Sequence, residues 1–231
     1  MKTLIKICGL STPATLEAAL AAGADMIGLV HFPPSPRHVD VETARNLAEA
    51  ARGRAAIVIL TVDAQAALLD RLADAVRPDL FQFHGAEPPQ TLERMRAKGF
   101  GTIKALGVKS AEDLALAAHY APVSDFLLLD AKPPKEATRP GGLGQAFDWS
   151  LIDQLDRKRP LMLSGGLNAD TVGEAIARVR PEAVDVSSGV ESAPGVKAPE
   201  KIKAFVEAAR QADAAQAGAA LPTCRESGQT R

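Results

Sequence analysis

Lys6-Ile7-Cys8-Gly9, near one end of the chain, and Asp185-Val186-Ser187-Ser188-Gly189-Val190-Glu191, near the other, decide the fold. Each is a short β-type run that closes on a reactive or ligand-accepting group and then a glycine. Strands with chemistry at their carboxyl ends, alternating with helices along the chain, are how a (βα)8 TIM barrel carries an active site. The first and last strands are then neighbours that close one ring.

Working outward, the same unit recurs. Leu4–Cys8 reads as a strand, followed by a helix over Pro13–Ala22 with Thr12 as its cap, proline in its first turn and Gly23 at its end. Further strands are expected at 25–32, 55–62, 79–84, 102–106, 125–130, 161–164 and 184–188. Residues 55–62 form a nearly unbroken apolar run, as a strand covered on both faces requires. Helices are expected at 41–51, 64–76, 89–98, 110–120, in a short turn from Asp148, and at 169–179 and 199–211. Eight such units of ~25 to 30 residues fit a closed parallel barrel better than an open sheet. The expected organisation is one catalytic domain over 1–211. The segment 212–231, rich in Ala, Gly, Gln and Thr without a steady apolar face, is expected to be a disordered tail.

Composition narrows the partners. The 231 residues carry a net charge of −1 with no basic block, which speaks against nucleic acid and against an anionic membrane surface. No apolar run approaches the ~18 residues of a bilayer span, and the first residues lack the pattern of a secretory signal. Two cysteines, Cys8 and Cys224, imply no disulfide framework and a reducing cytoplasm, with Cys224 read as a surface thiol. Monomer and homodimer both remain open.

Strand alternation turns Lys6 and Cys8 to the barrel interior and Ile5 and Ile7 to the surrounding helices. Cys8 then stands at the open end of the first strand. It is either a small buried hydrophobe or, with its pKa lowered by Lys6, a proton acceptor. Asp185, on the adjacent last strand, is placed to pair with Lys6, which would weaken that effect. Asp130 ends the sixth strand with a carboxylate at the same rim, across the mouth from Cys8. A thiol and a carboxyl flanking one substrate can remove and deliver protons; capping of the next loop or pairing with Lys132 is the alternative for Asp130. After the seventh and eighth strands come Gly165-Gly166 and Ser188-Gly189, the recurrent position of a phosphate cradle in this barrel class. Gly142 and Gly144, in Gly141-Gly142-Leu143-Gly144, are expected to close over the same end. Arg37 is a candidate partner for a substrate carboxylate, and His84 either contacts substrate or satisfies a loop carbonyl.

Lys6-Ile7-Cys8-Gly9, Ser35-Pro36-Arg37, Gln82-Phe83-His84-Gly85, Leu129-Asp130, Phe147-Asp148-Trp149, Ser164-Gly165-Gly166-Leu167-Asn168, Asp185 to Glu191 and Pro194-Gly195-Val196-Lys197 occur in this order at suitable spacing. Together they resemble the phosphoribosylanthranilate isomerase family of tryptophan biosynthesis, over about residues 3 to 210. The family's loop before Phe147 usually reads Gly-Gly-Thr-Gly, and here Leu143 replaces the hydroxyl. The resemblance implies an Amadori rearrangement of an aminoaldose phosphate, with Asp130 as general acid and Cys8 as general base. It further implies Arg37 on the anthranilate carboxylate, the glycine loops on the phosphate, and no metal or organic cofactor. The related histidine-pathway isomerase uses two opposed aspartates, against which Cys8 argues. A non-catalytic phospholigand-binding barrel would not need acid, base, arginine and phosphate loops together.

Overall fold

The computed structural model describes residues 2–132 and 147–219. Eight parallel strands form the closed ring: β1 (Leu4–Cys8), β2 (Met26–Val30), β3 (Ala56–Thr61), β4 (Leu80–Phe83), β5 (Gly101–Val108), β6 (Phe126–Ala131), β7 (Leu161–Leu163) and β8 (Ala183–Val186). β1 pairs in parallel with β2 on one side and β8 on the other, with Lys6 opposite Asp185. The helices are α1 (Pro13–Ala22), α2 (Val41–Ala51), α3 (Ala66–Val76), α4 (Pro89–Ala97), α5 (Ala111–Leu114), α6 (Ala117–Tyr120), α7 (Val172–Val179) and α8 (Pro199–Ala219). The expected barrel is the observed one. None of the described helices is long and apolar enough to cross a membrane.

Period-2 alternation sorts the side chains into two cores. Outward-facing Ile5, Ile7, Ile27, Leu29, Ile57, Ile59, Phe81, Phe83 and Leu129 pack under the helices in one large cluster. Inward-facing Met26, Val58, Ile103, Leu128, Met162 and Ala183 fill the lower barrel. Above them, Cys8, Val30 and Leu60 form a smaller group near the carboxyl rim.

The amino rim is built by one device used four times. Asp25 Oδ2 accepts the Ile5 N–H at 2.9 Å, Asp79 Oδ2 that of Ile57 at 2.7 Å, Asp125 Oδ2 that of Thr102 at 2.8 Å, and Glu182 Oε2 that of Leu161 at 2.7 Å. Each acid precedes an even-numbered strand and satisfies a backbone donor at the start of the odd-numbered strand beside it. For the three aspartates the same pair is closed by a second bond, from the aspartate's N–H to that residue's carbonyl.

Two elements differ from expectation. The single helix expected over 110–120 is two short turns, α5 and α6, followed by a 3-10 turn at Ala121–Val123. Pro122 sits in the first turn of that 3-10 segment with Ala121 before it still helical, at φ −53° and ψ −41°, so it does not account for the break between α5 and α6. The closing helix, expected to stop at 211, continues to Ala219, so residues 212–219 are helical rather than disordered. Its extension is tied down by polar contacts instead of an apolar stripe: Asp213 accepts from Thr3 N–H and Oγ1, and Gln216 Nε2 donates to Ile176 O. Cys224 and the rest of the tail lie outside the described residues.

Candidate active site at the carboxyl rim

Cys8 is buried at the inner end of β1, 3% exposed. Gly28 makes the room: a Cβ there would stand 2.9 Å from Cys8 Sγ and 3.1 Å from Lys6 Nζ. Lys6 is fully buried and donates to Asp185 Oδ1 at 2.8 Å. The ion pair foreseen between strands one and eight is therefore present, and its acid and base offset one another beside the thiol. Burial pushes the Cys8 pKa above its ordinary value; Lys6 pulls it down, Asp185 pushes it back up, and Lys197 pulls it down. Lys6 does act to lower the thiol pKa, but desolvation, aided by Asp185, outweighs it and leaves the net shift upward.

Asp130 faces inward at the same rim, 6% exposed. Its Oδ1 accepts the Ala131 N–H at 2.8 Å, and His84 Nε2 lies 3.5 Å from Oδ2. His84 Nδ1 is 3.2 Å from Gln82 Nε2, so in this arrangement the amide donates to Nδ1 and the neutral ring carries its proton on Nε2, toward Asp130. Gln82 Oε1 is buried with no hydrogen-bond partner among the described residues. The turn that carries His84 is held by Glu87, which accepts from Asp63 and Gly85 N–H groups, and by Lys104, which donates to Gly85 O at 2.6 Å and Glu87 Oε2 at 2.8 Å. Lys132, the alternative partner for Asp130, instead pairs with Asp113.

The two glycine loops come together. Gly165 and Gly166 adopt φ of 87° and 68°, which side-chain-bearing residues rarely tolerate. A Cβ on Gly165 would approach Ala131 N at 2.8 Å and Asp130 Oδ1 at 3.3 Å, and one on Gly189 would run into the Leu167 carbonyl oxygen. Main chain therefore lines this side of the rim, directly next to Asp130. Ser188 begins a 3-10 turn, Ser188–Val190, after β8. Gly142, Leu143 and Gly144 lie outside the described residues.

Arg37 is buried, 4% exposed, and its Nε and Nη2 donate to Glu191 Oε1 and Oε2 at 2.7 and 2.8 Å. Its aliphatic stem crosses Gly9, where a Cβ would stand 2.6 Å from Cδ, so the guanidinium arm is anchored next to the residue after Cys8. Burial works to raise the Glu191 pKa, but the Arg37 hydrogen bond and the Lys197 charge outweigh it and hold the carboxyl below its usual range. Glu191 and Lys197 lie within the quoted motifs, yet no role follows from their spacing. Arg37 and Glu191 are 154 residues apart, and only the ring brings them together.

A family model described as N-(5'phosphoribosyl)anthranilate (PRA) isomerase matches residues 5–208. The chain is 56% identical over 211 residues to the N-(5'-phosphoribosyl)anthranilate isomerase of Bradyrhizobium diazoefficiens, covering 91% of this chain and 95% of that one. The solved phosphoribosyl anthranilate isomerase from Thermotoga maritima matches with a TM-score of 0.82 and 38% identity, over 90% of this chain and 99% of that one. A phosphoribosyl anthranilate isomerase in complex with reduced 1-(o-carboxyphenylamino)-1-deoxyribulose 5-phosphate matches with a TM-score of 0.77 and 35% identity, at the same coverage. With its sequence and its ring both agreeing, the chain belongs to the N-(5'-phosphoribosyl)anthranilate isomerase family.

Proposed function

We propose that this family member converts N-(5'-phosphoribosyl)anthranilate to 1-(2-carboxyphenylamino)-1-deoxyribulose 5-phosphate in tryptophan biosynthesis, with Asp130 as general acid and Cys8 as general base. The observation that carries the assignment is the inward orientation of both side chains at the carboxyl rim of one closed barrel, on strands distant in sequence.

The chemistry follows from the substrate. Asp130 gives its proton to the ribose ring oxygen as the bond from that oxygen to C1 breaks, and the nitrogen lone pair forms a Schiff base. The Ala131 N–H and His84 stand ready to stabilise the carboxylate left behind. Cys8 then takes the proton from C2, and the electron pair moves toward nitrogen to give an enolamine. Tautomerisation yields the ketone. The imine nitrogen is the electron sink, so these steps draw on no metal, flavin or nicotinamide. Gly165, Gly166, Ser188 and Gly189 hold the phosphate through main-chain N–H groups, with Gly142 and Gly144 added by resemblance. Arg37, kept rigid by Glu191, meets the anthranilate carboxylate. The enzyme is read as cytoplasmic, as its two cysteines suggest, and as a monomer or homodimer with a small phosphorylated substrate as its partner.

The test is the loss of anthranilate-adduct fluorescence on conversion by purified protein. Wild type consumes the substrate, and Cys8→Ala and Asp130→Asn retain the fold while losing turnover. Near-wild-type turnover in either variant removes that residue from the mechanism.

A further inference from the structure

The ribbon β9 (Glu191–Ala193) and β10 (Val196–Lys197) stands on the rim after β8, and neither the barrel nor the proposed proton transfers account for it. It is pressed against the loop that carries Arg37. Gly195, at φ 84°, has no room for a Cβ, which would lie 2.5 Å from Pro36 O. Lys197 is 5% exposed, and its ammonium makes three bonds: to Ser187 O at 2.8 Å, Ser187 Oγ at 3.1 Å and Glu191 Oε1 at 2.7 Å. Ser187 Oγ in turn donates to Cys8 O at 3.1 Å. Glu191 shares its carboxylate between Lys197 and Arg37. One chain of bonds, buried at Glu191 and half-buried at Ser187, thus runs from Lys197 to the backbone of Cys8 and, through Glu191, to Arg37.

We propose that Lys197 is a positioning residue for the isomerisation: through Ser187 it fixes the strand end that presents Cys8, and through Glu191 it ties that strand end to Arg37. The inference rests on the reading of Cys8 as the base. Lys197 has a second, electrostatic effect, because its charge pulls the Cys8 pKa down. The charged groups that act on Cys8 are Lys6 on its own strand, Asp185 on β8 and Lys197 on the ribbon. β2 contributes only Gly28 at the sulfur, and the loop beyond β2 brings Arg37 with its partner Glu191. Lys6 is paired with Asp185 and Lys197 with Glu191, and Lys197 is, after Lys6, the cation that pulls the Cys8 pKa down.

The experiment compares Lys197→Met and Ser187→Ala with wild type in steady-state kinetics. It also titrates the Cys8 thiolate by its ultraviolet absorbance, each protein measured against its own Cys8→Ala version. Lys197→Met is expected to lower kcat by about 10- to 100-fold, to leave KM within about threefold, and to raise the Cys8 midpoint by about one pH unit. Ser187→Ala keeps the charge and breaks the link to Cys8 O. It is expected to lower kcat several-fold with the midpoint unmoved, and it carries the test if Lys197→Met does not fold. Wild-type kcat and an unmoved midpoint in folded Lys197→Met overturn the proposal, as does wild-type kcat in Ser187→Ala. Because the titration needs no substrate, a midpoint shift stands even where Cys8→Ala itself proves active, and the two failures are told apart.

Discussion

The two rims of this barrel solve opposite problems with the same kinds of residue. At the amino rim, four acids at equivalent positions each accept the N–H that begins a neighbouring strand, and three of them repeat the same two-bond pairing. At the carboxyl rim the strand ends differ: a thiol on β1, a histidine after β4, a carboxylate on β6, and glycine loops after β7 and β8. Repetition marks the rim that closes the ring, and variety marks the rim that does chemistry. Asp25 at the amino rim is shared among the Ile5 N–H, Lys2 and Arg210. Asp130, by contrast, meets one backbone N–H and a histidine and borders a wall of glycine.

Variants at the two rims should therefore separate rate from stability. The largest effect belongs to Cys8→Ala and Asp130→Asn, each expected to cut turnover about 10² to 10⁴-fold with little change in melting temperature. Next is Arg37→Ala, expected to raise KM about 10- to 100-fold through loss of a charge-assisted pair. An unchanged KM counts against its role on the substrate carboxylate. The raised pKa of Cys8 implies that the base form grows as pH rises. kcat/KM is accordingly expected to climb from neutrality through 9.0; a plateau already reached at neutral pH contradicts it. At the opposite rim, Asp25→Ala removes an acceptor shared by Ile5 N–H, Lys2 and Arg210. It is expected to cost about 1–3 kcal/mol in denaturant unfolding and to leave kcat at the wild-type value.

The smallest effect is on acid stability. Burial works to raise the Asp25 pKa, but hydrogen bonds from Lys2, Arg210 and the Ile5 N–H hold it below the ordinary value of 3.8. A carboxyl depressed on folding contributes stability that is fully present above its unfolded pKa and lost as pH falls through the folded one. Asp25→Asn should thus trail wild type at neutral pH, and the gap should narrow below 3.8. A gap that widens in acid reverses the assignment.

How far these rims are legible in the chain depends on the range of the interaction. Alternation along β1 is local, so the inward turn of Lys6 and Cys8 follows from the residues themselves. The Lys6–Asp185 pair follows one step later, because a ring makes β1 and β8 neighbours. The positions of the rim residues are legible, while the bonds that fix them are not. Arg37 is recognisable as an anion partner, but its grip by Glu191 depends on two loops meeting above the barrel. The bottom-rim acids sit visibly before strands, yet only the register of adjacent strands reveals what they accept. The end of α8 was obscured because its anchors are Asp213 and Gln216 rather than an apolar stripe.

Closure of the ring through β1 and β8 also constrains synthesis. The Lys6–Asp185 bond spans 179 positions, so a chain still emerging from the ribosome holds the thiol long before it holds the strand that shelters it. Until β8 arrives, one flank of β1 stays an open edge with unsatisfied amides, the kind of surface that pairs with other chains. Holding such incomplete chains apart is a task for chaperones, and the demand ends when the final strand slots into place.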